Sequence, residues 1–451
     1  MSRFFGIFAL KGTPLAIGAA ACAILLIGAA RPAAANGRFP LANQFVVDPH
    51  DPTHLVARVT FGLLNSSDGG KTWQWICEQA IGYSGVEDPS VAVTGNGTLI
   101  AASSRGLSAT HDAGCAWSRR TGRFGVDVTI DPTNAGRALA LESYLIGSMQ
   151  STSLVETIDH GDSWAEVSLL EPALRAETLE VAPSNSDRVY VSGTLSPADM
   201  PLQEAVVARS NDRGLTFTTT KLGLPMGDLV FIGAIAPSDP DLLYVRVLSG
   251  SGADAFGRVL VSRDGAATWQ EVWTGPGDPA GFALSADGTK IAVGGPLAGI
   301  HIASTTDFLF RKVSDIGVKC LTWSAAGLFA CTQEALSGFS IGLSTDEGTT
   351  FAPVLHFPEI LPGSCPEGSA GEGCLGFWGA LAPTIGIDAG IADASVGGGG
   401  QVGEATAPSG GCGCEFARGR SASSVVGWLL SVAWIGFGFA RHRRVRFESR
   451  Y

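Results

Sequence analysis

The sequence predicts an all-β chain, a seven-bladed β-propeller of four-stranded blades, with an apolar signal helix before it and a transmembrane helix after it. Two interleaved repeats and the hydropathy of the two ends carry that expectation. SSDGGKTW (66–73) is the clearest copy of the first repeat: Ser or Thr, an Asp two residues on, a Gly two further, and an aromatic three further. THDAGCAW (110–117), TIDHGDSW (157–164), SNDRGLTF (210–217) and STDEGTTF (344–351) keep the frame. SRDGAATW (262–269) has Ala266 where the Gly belongs, and TTDFLFRK (305–312) keeps little beyond Asp307. The aspartates Asp68, Asp112, Asp159, Asp212, Asp264, Asp307 and Asp346 are separated by 44, 47, 53, 52, 43 and 39 residues. Such a period is that of one supersecondary unit repeated around a propeller or along a solenoid.

The second repeat runs about 20 residues ahead of the first. DPHDPTHLVA (48–57), TGNGTLIAAS (94–103), DPTNAGRALA (131–140), APSNSDRVYV (182–191), APSDPDLLYV (236–245), SADGTKIAV (285–293) and SAAGLFAC (324–331) each place a turn cluster before an apolar run. Pro presets φ, and Gly and Asn accept the left-handed region, so each cluster is a turn by its own chemistry. The short β-branched and apolar segments around it read as strands. One unit is then strand, turn, strand, connection, strand, Asp turn, strand. Seven of them fill residues 36–358. The last blade (319–357) contains four strands of its own, so the ring is expected to close without a strand borrowed from the other end.

In the first repeat the Asp side chain accepts bonds from amides just ahead, the Gly supplies a positive φ, and the aromatic buries its ring between blades. This frame resembles the Asp-box, or BNR, repeat of propellers that include sialidases, sortilin-type domains and photosystem assembly factors. The resemblance implies that the seven aspartates are structural and sit at the blade periphery, away from the central channel.

Composition adds limits. The chain has 451 residues, 60 glycines and a formal net charge of −12, which is too few basic residues for a nucleic-acid partner. Arg3 and Lys11 precede the apolar stretch 14–30, and Ala33, Ala34 and Ala35 offer a cleavage site, so 1–35 reads as a signal peptide, with a retained anchor as the alternative. Export places the cysteines in an oxidising compartment. Cys320 with Cys331 on neighbouring strands, Cys365 with Cys374 across a short loop, and Cys77 with Cys115 between the first two blades are the expected disulfides. The cysteines lack paired CxxC spacing, and neither metal nor cofactor is expected.

Residues 359–411 read as a cysteine-containing loop followed by a flexible Gly/Ala-rich linker. The remainder, 412–451, combines Cys412 and Cys414, an apolar segment at 424–440 and an Arg cluster at 441–446. Seventeen residues just suffice to span a bilayer, with the arginines on the cytoplasmic side. This order resembles the myxobacterial C-terminal sorting signal known as MYXO-CTERM. The resemblance implies a sorting protease as partner, removal of the apolar segment and lipid modification at the cysteines; a permanent span is the alternative.

The functional expectation is a surface-anchored binding module for a protein or glycan partner, by analogy of fold. The alternative is a glycoside hydrolase of sialidase-like class. That class needs three converging arginines and a Tyr nucleophile with a Glu partner, for which Tyr83, Tyr144, Tyr190 and Tyr244 are the propeller's tyrosines. Arg38, in Gly37-Arg38-Phe39-Pro40, faintly resembles the motif supplying the first arginine. A xyloglucanase-like site needs two facing carboxylates and usually two tandem propellers, and only one propeller is present. Glu87, Asp88, Asp127, Glu142, Glu177 and Glu180 are carboxylates outside the repeat frame.

Overall fold

Turn chemistry sets the blade count. The computed structural model describes residues 38–146, 149–196 and 203–387. They form seven four-stranded antiparallel sheets, each with its strands in chain order. Residues 42–76 make blade 1, and 90–119, 124–169, 174–221, 229–276, 281–314 and 318–355 make blades 2 to 7. The first strands of consecutive blades neighbour one another around the whole ring, blade 7 against blade 1 included, so they are the innermost. Ala42–Val47 stays in blade 1 and Ala352–Leu355 in blade 7, so no strand crosses the seam. That is the closure the sequence predicts.

Each blade buries one apolar layer against the next. Leu139, Leu141 and Leu154 of blade 3 pack on Leu174, Leu179 and Val181 of blade 4, and equivalent clusters fill the other junctions. Antiparallel order puts the Asp turns and the first-to-second strand turns at one end of the ring. The second-to-third turns and the blade-to-blade connections share the other end, called here the connection face.

The Asp turns are built alike. At Asp68, the Thr72 amide donates to Oδ1 at 3.0 Å, the Thr72 hydroxyl to Oδ2 at 2.7 Å, and Ser66 Oγ to Oδ1 at 2.9 Å. Asp159, Asp212, Asp264 and Asp346 repeat the set with Ser163, Thr216, Thr268 and Thr350. Asp112 takes bonds from Thr110 Oγ1 and the Ala116 amide, while the degraded copy at Asp307 holds only the Leu309 amide, at 3.0 Å. Hydrogen bonds from the residue four positions on hold five of these carboxyls down at about 2: Asp68, Asp159, Asp212, Asp264 and Asp346. The Gly has two tasks. At Gly214, φ is +94°, and an added Cβ would stand 2.2 Å from Leu154 of the preceding blade.

Two of the three expected disulfide pairings are corrected. Cys320–Cys331 forms between adjacent strands of blade 7. Cys365 and Cys374 do not pair with each other, nor does Cys77 with Cys115: the bonds are Cys77–Cys374 and Cys115–Cys365. The physical reason lies in where the chain goes after blade 7. Leu361 bonds along the outer strand of blade 1, accepting from the Trp75 amide and donating to the Trp73 carbonyl. Trp378, in the helix Leu375–Leu381 (α1), then packs on Trp75. Cys365 is thereby delivered to blade 2 and Cys374 to the end of blade 1. Residues 356–387 form a clasp that closes the ring covalently, 250 and 297 residues apart along the chain.

Among the described residues no helix is long and apolar enough to cross a membrane. The expected signal peptide, linker, Cys412, Cys414 and apolar tail lie outside the described residues.

Candidate functional site

The seven innermost strands surround a central channel with a cavity of about 400 Å³. Its wall carries Asp88, Asp127, Glu177 and Glu180, four of the six off-repeat carboxylates, together with Arg58, Arg246 and the rings of Phe45, Phe231 and Phe282. Most of its polar groups tie one blade to the next. Gln44 exchanges two bonds with the Val91 backbone, joining blades 1 and 2. Asp127 accepts from Ser90 Oγ at 2.6 Å and from the Leu179 amide at 2.8 Å, so one carboxylate joins blades 2, 3 and 4. Thr178 takes the Ile232 amide, and Thr322 donates to the Phe45 carbonyl across the seam.

Both arginines are engaged in the same way. Arg58 donates to the Pro89 carbonyl at 3.0 Å, and Arg246 to those of Pro279 and Ala280 at 3.1 and 3.0 Å, each the start of the next blade. Arg246 also lies over the Phe231 ring. Arg38 is held by Asp88 at 2.6 Å. The wall therefore has two arginines committed to carbonyls, not three converging on a ligand. None of the four tyrosines lines it: Tyr83, Tyr190 and Tyr244 are buried, and Tyr144 sits on the connection face of blade 3.

Glu180 is only lightly committed to its neighbours. Its one hydrogen bond comes from Thr129 Oγ1 at 3.2 Å. Burial, then the Asp127 charge, pushes its carboxyl up to about 8. Burial also raises Asp127, against the bonds from Ser90 and the Leu179 amide, and raises Glu177. A carboxyl that is neutral near pH 7 both donates and accepts, which suits hydroxyl- or amide-bearing ligands. The other two off-repeat carboxylates lie elsewhere: Glu87 accepts from Ser104 Oγ, and Glu142 is buried in blade 3 with its carboxyl raised by that burial. Among the described residues no cluster of three His, Cys, Asp or Glu has the geometry to hold a metal ion.

Arg58 and Arg246 escape sequence reasoning because they sit on second strands, where nothing in the repeat marks a residue as channel-facing. The signal that does exist is an acid inside an apolar inner strand, as in FGVDVTI and LRAETLEVA.

No family model and no curated protein matches the chain. Solved structures similar to it include an ancestral GH74 enzyme, with 15% identity and a TM-score of 0.46 over 65% of this chain and 40% of that one. A GH74 xyloglucanase from Xanthomonas campestris aligns at 15% identity and a TM-score of 0.35, over 69% of this chain and 64% of that chain. The β-propeller domain of Myceliophteria thermophila Cps50 (Swd1) aligns at 12% and 0.43, over 66% and 94%. This chain thus spans less than two thirds of either GH74 protein.

Proposed function

We propose that this propeller is an exported, surface-anchored binding module that presents its channel and connection face to a protein or glycan partner. The observation that carries the reading is the channel wall. Its arginines and most of its polar groups hold the blades together, and what remains toward the cavity is Glu180, Glu177 and aromatic surface, a lining suited to recognition. Three disulfides support an oxidising compartment, where an exported chain resides. The Asp turns support the BNR resemblance and a scaffold role for the repeat aspartates. The terminal signal peptide and sorting tail remain part of this proposal on sequence grounds.

A glycoside hydrolase is the second reading, favoured by one observation: Glu180 and Asp127 are neighbouring carboxylates in unlike environments, as acid and base pairs are, in a wall without the converging arginines and tyrosine of the sialidase-like class. One experiment separates the two. The full chain is screened on glycan and protein arrays beside its Glu180→Gln variant, with reducing-sugar release followed on any glycan that binds. Binding that weakens in the variant without sugar release is expected. Turnover lost in Glu180→Gln would establish the hydrolase, and binding indifferent to the variant would remove the channel from the account.

A further inference from the structure

A second cavity, of about 570 Å³, opens on the connection face between blades 3 and 4 and shares Val126 and Glu177 with the channel wall. Tyr144 lines it. The guanidinium of Arg123 sits 4.1 Å from the centroid of that ring, and Arg123 is in turn held by Glu166 at 2.8 Å. Arg123 thus braces a ring that also lines the cavity. An aromatic fixed in advance loses little freedom when a flat apolar partner stacks on it.

Glu177 stands at the junction of groove and channel. Its Oε1 is shut off from solvent and accepts no hydrogen bond from the protein. The nearest cation, Arg175 Nε, is 3.4 Å away and about half exposed, so the ion pair between them is loose. A buried acceptor without a donor calls for an explanation, and Glu177 lines both the channel and the groove.

The charges select the ligand. A cationic ligand reaching Glu177 meets Arg175, and an anionic one reaching Arg175 meets Glu177, so a net charge of either sign is disfavoured. A neutral group that donates to one and accepts from the other fits both. Adjacent ring hydroxyls do this, and a pyranose carries them beside an apolar C–H face.

We propose that this groove is a subsite for a neutral pyranose ring, stacked on Tyr144 and hydrogen-bonded through adjacent hydroxyls to Glu177 and Arg175. The inference rests on the binding-module reading and assigns it a ligand class and a place.

The test is calorimetry of the full chain with cellohexaose, maltohexaose and N-acetylchitohexaose in turn. At least one should bind. Tyr144→Ala should weaken that binding about tenfold, an amount equal to about 1.4 kcal/mol, whereas Tyr144→Phe should stay within about twofold. Glu177→Gln should also weaken it, and decides the matter alone if Tyr144→Ala lowers the thermal midpoint. Oligosaccharide binding that ignores Tyr144→Ala and Glu177→Gln but is lost in Glu180→Gln would overturn the groove and leave the channel reading standing. Protein-array binding without any oligosaccharide binding would overturn the sugar class alone. Failure on both would remove the binding-module reading itself.

Discussion

At the rim, five aspartates take the same hydroxyl and amide bonds from the residue four positions on, blade after blade. Around the channel, the inner strands present Gln44, Asp127, Thr178 and Glu180 on one side and Ile232, Phe282 and Leu321 on the other. Both regions come from the same repeated unit. Where every blade faces the same problem, closing a turn and packing on its neighbour, the residues repeat. Where the blades together face a cavity, they differ, because the demands there come from the ring as a whole. Repetition marks scaffold, and departure from it marks the candidate site.

The comparison breaks most visibly at the clasp. In the chain-entropy description, a disulfide closing some 250 residues stabilises by on the order of 5 kcal/mol, against about 3 kcal/mol for one closing about ten. Replacing Cys77, Cys115, Cys365 and Cys374 together by Ser, so that neither long-range bond remains, should therefore lower denaturant stability far more than replacing Cys320 and Cys331. Binding by the molecules that stay folded should persist. Equal losses in the two variants would mean that the clasp does not hold the seam.

The Gly seats come next. Gly214→Ala puts a Cβ against Leu154 at a strained φ and should cost about 1 to 3 kcal/mol in a denaturation series. Blade 5 already carries Ala266 in that seat at φ +71°. Ala266→Gly should stabilise by less than about 1 kcal/mol, strain relief being partly offset by chain entropy and a lost buried methyl.

Protonation sharpens the contrast between rim and channel by sign. Five of the turn aspartates, Asp68, Asp159, Asp212, Asp264 and Asp346, have carboxyls depressed from 3.8 to about 2. Their stabilisation is present above the unfolded value and is lost as pH falls from about 4 through about 2. Glu180 is raised from 4.5 to about 8, so its contribution is complete below 4.5 and declines as pH rises toward 8. Glu180→Gln should flatten the neutral limb of the stability profile and leave the acid limb unchanged. A change confined to the acid limb would contradict the burial of Glu180.

The blade count and ring closure were legible because turn chemistry is local: Asp, Gly and aromatic positions act within eight residues of one another. Cys320–Cys331 was legible for the same reason, through two consecutive strands. The clasp pairings were not, since Cys365 meets Cys115 only after the ring has brought blade 1 beside blade 7. The channel lay between these cases. Asp88, Asp127, Glu177 and Glu180 stood out as acids off the repeat, but their shared wall, and the arginines braced against backbone carbonyls, exist only once seven inner strands converge.

The central claim is that binding belongs to the aperiodic wall and stability to the periodic rim. Hydrogen exchange of the full chain, with and without a partner found on the arrays, tests it most directly. Ligand-induced protection is predicted in the inner strands Phe124–Ile130 and Leu174–Ala182, with none at the Asp turns around Asp68, Asp212 and Asp346. Protection centred on those turns, with the inner strands unchanged, would contradict the account.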